Sequence, residues 1–402
     1  MPEEKLSKRE LKKKRKERKK EIDKRLGRTK KRYTTVIKYI AILSVAVTAL
    51  ILYINNFDFL RPENLVNYIR KNIIYSPSGA GFPKGLPGGN FKEFIPGKKN
   101  IIYLTDTHFY VYNQSGKEML ALQHLYGSPY VAAKQDYYLL YDNYGMQFRA
   151  YSKTKKLFET ELQNRIFSVA VSEKGTFGVI TDSQKYLGEI LIYDNKGKNI
   201  FNWFSADHQI RYMDFMDDGK TFAVGTISGI DGIYVSDINI FNVGKSDVQS
   251  KTRINDGFLI SLDCKVNGNT VALFDNKAVV IDRKGKTVKT VEFEDKPVSV
   301  CNINDDNFAV VFETPYAKSR YLLNIYDSDG EKKGSVEFAE KPLQITGAKG
   351  KTAVLEKNQI SIYANDGKLN RKIEIKGDTT QIICTGQNIY TKGLTEINQY
   401  SL

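Results

Sequence analysis

Tyr112-Asn113-Gln114-Ser115-Gly116-Lys117 is the stretch that decides the fold, because it keeps returning. It comes back as Tyr193-Asp194-Asn195-Lys196-Gly197-Lys198 and as Ile281-Asp282-Arg283-Lys284-Gly285-Lys286. It comes back again as Tyr326-Asp327-Ser328-Asp329-Gly330-Glu331 and as Tyr363-Ala364-Asn365-Asp366-Gly367-Lys368. Phe241-Asn242-Val243-Gly244-Lys245 is a copy one residue shorter, and Tyr151-Ser152-Lys153-Thr154-Lys155-Lys156 has lost its glycine. A recurrence at about 40 residues marks a repeat architecture.

Each copy separates two β-rich runs. Glu189-Ile190-Leu191-Ile192-Tyr193 precedes one turn, and Thr287-Val288-Lys289-Thr290-Val291-Glu292-Phe293 follows another. Alternation with β-branched and aromatic residues predicts half-buried strands. Asn or Asp at the first corner accepts a hydrogen bond from the backbone two residues on, and Gly three residues later takes the left-handed conformation. A second turn signal opens the other half of each unit, as at Asp217-Asp218-Gly219 before Thr221-Phe222-Ala223-Val224. Four short strands per period make the blade of an all-β propeller. Second strands starting near Asn100, Tyr137, Thr176, Thr221, Thr270, Asn307, Thr352 and Asn388 predict eight blades, with seven as the alternative. The last unit, from Gln381, supplies three strands and stops, so Asn72-Ile73-Ile74-Tyr75-Ser76 is expected to close the ring as its outer strand.

The net charge of +15 is unevenly placed. Residues 1–33 hold 17 Lys or Arg against 6 Asp or Glu, which leaves only +4 for the other 369 residues. Nucleic-acid binding by the propeller is therefore not expected on electrostatic grounds. Residues 36–54 follow with one charge, Lys38, and have the length of a bilayer crossing. The run is too long for a cleaved signal peptide. The expected organisation is a basic cytoplasmic arm at 1–33, a transmembrane helix at 34–56, a juxtamembrane segment at 57–90 and the propeller at 91–402. The positive-inside rule then places the propeller outside the cytoplasm. Within the juxtamembrane segment, Pro62-Glu63-Asn64 opens a short amphipathic helix, and the Gly- and Pro-rich run from Ser76 to Gly89 is expected to be a loop.

Leu60-Arg61-Pro62-Glu63-Asn64-Leu65, Gly81-Phe82-Pro83 with Leu86-Pro87-Gly88, and Leu104-Thr105-Asp106-Thr107 with Tyr110-Val111-Tyr112-Asn113-Gln114 resemble a clostridial family of membrane-anchored propeller proteins of unknown function. The resemblance runs from about Leu60 to the C-terminus. It implies a quinoprotein- or WD40-like propeller on a membrane anchor, and it carries over no catalytic residue.

Known chemistries of the fold find little footing. The quinone-cofactor repeat A-x-D-x-x-x-G-x-x-x-W needs a tryptophan in each blade, and Trp203 is the single tryptophan. Sialidase boxes and G-x-S-x-G elbows do not occur. His108, His124 and His208 lack zinc-ligand spacing. Cys264, Cys301 and Cys384 fall in first strands of different blades and are expected to be small buried side chains. Asp214 and Asp263 lie in first strands that line the central channel; they are the candidates for a metal or catalytic carboxylate, against a plain role tying blades together. Tyr126, Tyr130 and Tyr144 belong to a tyrosine cluster denser than a core needs and are candidate partner-contact residues.

The expected function is that of a non-enzymatic, cofactor-free binding scaffold held by one helix in the cell membrane, its partner an envelope protein or polymer. The alternatives are an envelope glycan hydrolase or lyase using paired channel carboxylates, and a transmembrane sensor whose arm contacts a cytoplasmic partner.

Overall fold

The computed structural model describes residues 12, 13, 15–24, 38–40, 42–44, 47, 79 and 81–402, the last range without 295, 305 and 315–318. The chain divides into two compact units, Met1–Ser76 and Pro77–Leu402. In the first, residues 15–24 are helical and exposed, and so are 38–40 and 42–44. Among the described residues no helix is long and apolar enough to cross a membrane. Most of segment 36–54, the expected helix after Pro62 and the expected strand Asn72 to Ser76 lie outside the described residues.

The second unit is an eight-bladed β-propeller of four-stranded antiparallel sheets. In seven blades the strands follow one another in sequence from the channel outward. The second strands are Asn100–Thr105, Tyr137–Asp142, Phe177–Thr181, Thr221–Ile230, Thr270–Phe274, Asn307–Glu313, Lys351–Leu355 and Asn388–Lys392. They begin within a residue of the positions expected from the sequence. These strands are sandwiched between neighbouring sheets, so both faces are apolar; Phe177–Thr181 is buried at every residue. Outer strands keep one wet face, and Thr287–Glu292 alternates accordingly.

Eight apolar clusters fill the eight blade–blade interfaces. Phe109, Val111, Tyr138 and Tyr151 join blades 1 and 2, and Phe94, Tyr103, Tyr390 and Ile397 join blade 1 to blade 8. That last interface closes the ring. Thr385 Oγ1 of blade 8 donates to the Gly97 carbonyl of blade 1 at 2.8 Å.

The closing strand differs from expectation. Lys84–Gly85 pairs antiparallel with Glu396–Ser401 as the outer strand of blade 8, matching Lys84 to Ile397. Leu86 N continues the ladder by donating to Thr395 O at 2.9 Å. Lys84 and Gly85 of the Gly- and Pro-rich run are thus part of the ring, which begins before residue 91. Gly79 N and Gly81 N both donate to Ser115, at 3.1 Å, and Phe82 packs on Tyr390. The signal was weak because two paired residues show no alternation.

The recurrent turn works as its residues require. Asn113 Oδ1 accepts from the backbone N–H groups of Ser115 and Lys117, at 3.0 and 2.9 Å. Asp194, Asp282 and Asp327 repeat that pair of bonds. The glycine of each six-residue copy lies at φ between 75° and 86°. Strands alternate in direction, so connections alternate between two faces of the disc. The first-to-second and third-to-fourth turns share one face, here the turn face. The second-to-third connections and the links between blades share the other, the loop face.

Candidate functional site

The central channel holds a cavity of about 630 Å³ at its turn-face end, lined by the first strands and the turns that follow them. Asp214 and Asp263 both border it, as expected, but on adjacent blades 4 and 5. Asp214 Oδ2 accepts from Cys264 N of the next blade at 2.8 Å, and Lys134 Nζ stands 4.0 Å away. Burial pushes the Asp214 carboxyl above its usual range, against the pull of Lys134. Asp263 Oδ1 lies 3.9 Å from Lys265 Nζ, which donates to Asn307 O at 3.1 Å. The third lining carboxylate, Asp306, accepts from Gly350 N of blade 7 at 3.0 Å. Asp214 and Asp306 therefore tie neighbouring blades. Glu93 Oε2 does the same to Val131 N at 2.6 Å, and Gln344 Oε1 to Ile382 N at 2.8 Å. Among the described residues no group of three His, Cys, Asp or Glu side chains is placed to hold a metal.

The tyrosine cluster divides. Tyr126 was expected at a partner surface, but only 6% of it is exposed. It fills the blade 1–2 interface with the Arg149 guanidinium 5.3 Å from its ring centroid, because the link between these blades folds back over Phe109 and Val111. Burial pushes its phenol pKa up. Tyr138 and Tyr141 are also buried. Tyr130 and Tyr144 are exposed, Tyr144 at 65%, and both lie toward the loop face.

These two belong to a larger pattern that sequence inspection missed. All six exposed aromatic side chains among the described residues of the ring lie toward the loop face of blades 2 to 4. Tyr144 meets Phe167 edge-on with centroids 5.5 Å apart, and Tyr186 leans on Phe204 at 5.0 Å. Tyr130 sits 6.0 Å from Tyr141, and Tyr234 meets Phe258 at 5.4 Å. Leu125, 90% exposed, Met146 and Leu187 extend the band. Exposed apolar side chains gathered on one face are a feature of surfaces that bind partners, whereas single exposed apolar residues are ordinary. Aromatic and Met side chains are the types enriched where proteins meet.

Blade 4 adds a projection to this face. Its second and third strands, Thr221–Ile230 and Ile233–Asn242, have 10 residues each. They join through Asp231 and Gly232, both at positive φ, in the two-residue turn favoured by twisted hairpins. The available signal was Asp231-Gly232 between two β runs.

At the hairpin's base Asp237 is 1% exposed. Arg253 Nε and Nη2 donate to its two oxygens at 2.9 and 3.1 Å, and Lys251 Nζ is at 2.7 Å. His208 Nδ1 stands 3.2 Å away. Burial opposes the charge of Asp237, yet Arg253 and Lys251 outweigh it and hold the carboxyl below its usual range. Trp203 of blade 3 docks on Phe241 of blade 4 at 5.0 Å, the one place where a tryptophan locks two blades.

Known proteins share this fold at low identity. The C-terminal WD40 domain of Sif2 is 13% identical over 80% of this chain and 99% of its own, with a TM-score of 0.54. Chaetomium thermophilum Sqt1, bound to the N-terminus of ribosomal protein L10, is 10% identical over 79% and 98%, also with a TM-score of 0.54. The dihydro-heme d1 dehydrogenase NirN is 10% identical over 79% and 73%, again at 0.54. Such likeness is one of fold and extends to a WD40 domain and a dehydrogenase alike. No curated protein matches the sequence. A family model does, over residues 89–398, which is nearly the whole ring, and the chain belongs to the family of unknown function DUF5711.

Proposed function

We propose that this protein is a membrane-tethered, non-enzymatic scaffold that holds a protein partner in the cell envelope on the loop face of blades 2 to 4. The observation that carries the proposal is the confinement of exposed aromatic side chains to that face. The ring supplies rigidity, since each blade is packed on two neighbours. The protein partner bound by Sqt1, a propeller of like fold, supports the choice of a protein over a small molecule. The tether rests on the basic arm and on apolar residues 36–54. The chain joins the ring at Gly79 to Gly81 against the Asn113–Lys117 turn, on the turn face.

The test uses the full chain in its membrane. Formaldehyde crosslinking of intact cells is compared for the native protein, Tyr144→Ser with Tyr186→Ser, and a turn-face control, Lys284→Ser with Lys286→Ser. One partner is expected with the native protein and the control, and it is lost with the loop-face variant at unchanged melting temperature. Loss with the turn-face variant instead overturns the proposal. Protease added outside is expected to digest the ring in whole cells; protection of the ring removes the envelope address.

A further inference from the structure

Independently of the docking-face reading, we infer that a second cavity, between blades 3 and 4, is a binding site for a neutral saccharide. Its volume is about 300 Å³, at the lower end of the range for small-molecule sites. Strand alternation builds its floor. Asp237 and Asn239 lie two residues apart in the third strand of blade 4, Ile233–Asn242, so both point toward blade 3. Phe241 continues that face and carries Trp203. In the outer strand, Ser250–Asn255, Lys251 pairs opposite Asn239 and Arg253 opposite Asp237.

Asn239 is the residue that asks for a ligand. It borders the cavity and is only 5% exposed, yet its side-chain amide makes no hydrogen bond to any described residue. Such a group is costly, because its donors and its acceptor have left water without finding partners. The floor around it is already bonded. Arg253 and Lys251 hold the Asp237 carboxylate, and Thr226 Oγ1 donates to Asp237 O at 3.2 Å.

The walls select the occupant. Trp203 supplies an apolar wall, braced by Phe241 and still partly exposed. The C–H face of a sugar ring packs on indole by dispersion. Asn239 offers both donor and acceptor, and a hydroxyl answers as either. His208, Asn239 and Lys251 reach the cavity from a link and two strands, which suits hydroxyls set around a puckered ring better than the single plane of a nucleobase. Charge argues against an ion. Asp207, Asp237, Lys251 and Arg253 line the cavity or bond to its lining, two of each sign, and the adjoining turn adds Lys245 and Asp247. Neither sign is in excess.

Trp203 is the single tryptophan, so the emission of the full chain reads this cavity directly. Glucose, galactose and N-acetylglucosamine are titrated into the full chain in a sugar-free detergent, with adenosine and inorganic phosphate as probes of other chemistry. At least one sugar is expected to change the emission saturably at millimolar concentration or below and to shield Trp203 from acrylamide. Its affinity should stay the same in roughly 0.5 M NaCl, as befits a neutral ligand. Asn239→Ala should weaken it at least about tenfold. Val248→Phe fills the cavity from an exposed lining position and should abolish binding, and unchanged melting temperatures check both folds. If Asn239→Ala does not fold, Val248→Phe and the shielding of the native protein decide. Absence of saturation by all three sugars overturns the inference, as does saturation by adenosine or phosphate alone. A sugar response that survives these substitutions, or leaves acrylamide quenching unchanged, lies elsewhere on the protein and overturns it too.

Discussion

Lys153 shows what a left-handed turn residue other than glycine costs. The turn between Ser152 and Lys155 is shorter than the recurrent one, and its first residue, Lys153, takes φ 58°, a region that glycine occupies without strain. A non-glycine residue in this region costs about 1 kcal/mol. The half-exposed pair of Lys153 with Asp136 at 3.3 Å returns only a few tenths of a kcal/mol. Lys153→Gly is therefore expected to stabilise the ring by about 0.5 kcal/mol in denaturant unfolding.

Glu93 carries a different cost. Burial pushes its carboxyl from 4.5 up to about 7, although Val131 N–H pulls the other way. Between those values the unfolded chain gives up a proton that the native ring retains, so stability falls as pH rises through this window and stays lower above it. The loss is at most about 3 kcal/mol, and residual solvent contact reduces it. Glu93→Gln keeps an acceptor for Val131 and is expected to flatten the slope between pH 5 and pH 8. Equal slopes in the two proteins count against the assignment.

At the scale of elements, the ring is closed by its shortest strand. Two residues, Lys84 and Gly85, cannot hold blade 8 through their ladder alone. The segment before them is seated on the Asn113–Lys117 turn, where Gly116 has φ 75° and a built Cβ would lie 2.7 Å from Gly81 O. Gly116→Ala adds that collision to left-handed strain. Gly350→Ala, at φ 68° with its nearest neighbour 3.5 Å away, carries strain only. Gly116→Ala should thus cost about 1 kcal/mol more than Gly350→Ala, with earlier proteolytic cleavage near residues 79–86. Equal losses would show that the seat on this turn does not hold the closure.

For the whole molecule, stability and the proposed recognition are drawn from different places. The core lies between blades, where Phe109 is fully buried. Phe109→Ala is expected to cost about 3 to 5 kcal/mol. The loop-face rings are 39% to 65% exposed, and Tyr144→Ser with Tyr186→Ser and Tyr234→Ser should move the melting temperature by no more than about 2 °C. A large shift in that triple variant would make the band structural.

The eight-bladed ring was legible in the chain because its information is local. A corner Asn or Asp and a glycine at fixed spacing specify each turn, and alternation on either side specifies each strand, whatever the rest of the molecule does. Asp214 as a tie between blades followed from its place in an inner strand. Three features rest on which residues meet from distant parts of the chain. Lys84–Gly85 became a strand because Glu396–Ser401 offered an unfilled edge. Tyr126 went inside because Phe109, Val111 and Arg149 surround it. The aromatic band exists only once loops from three blades are brought to one face, since exposure is set by neighbours far away in sequence.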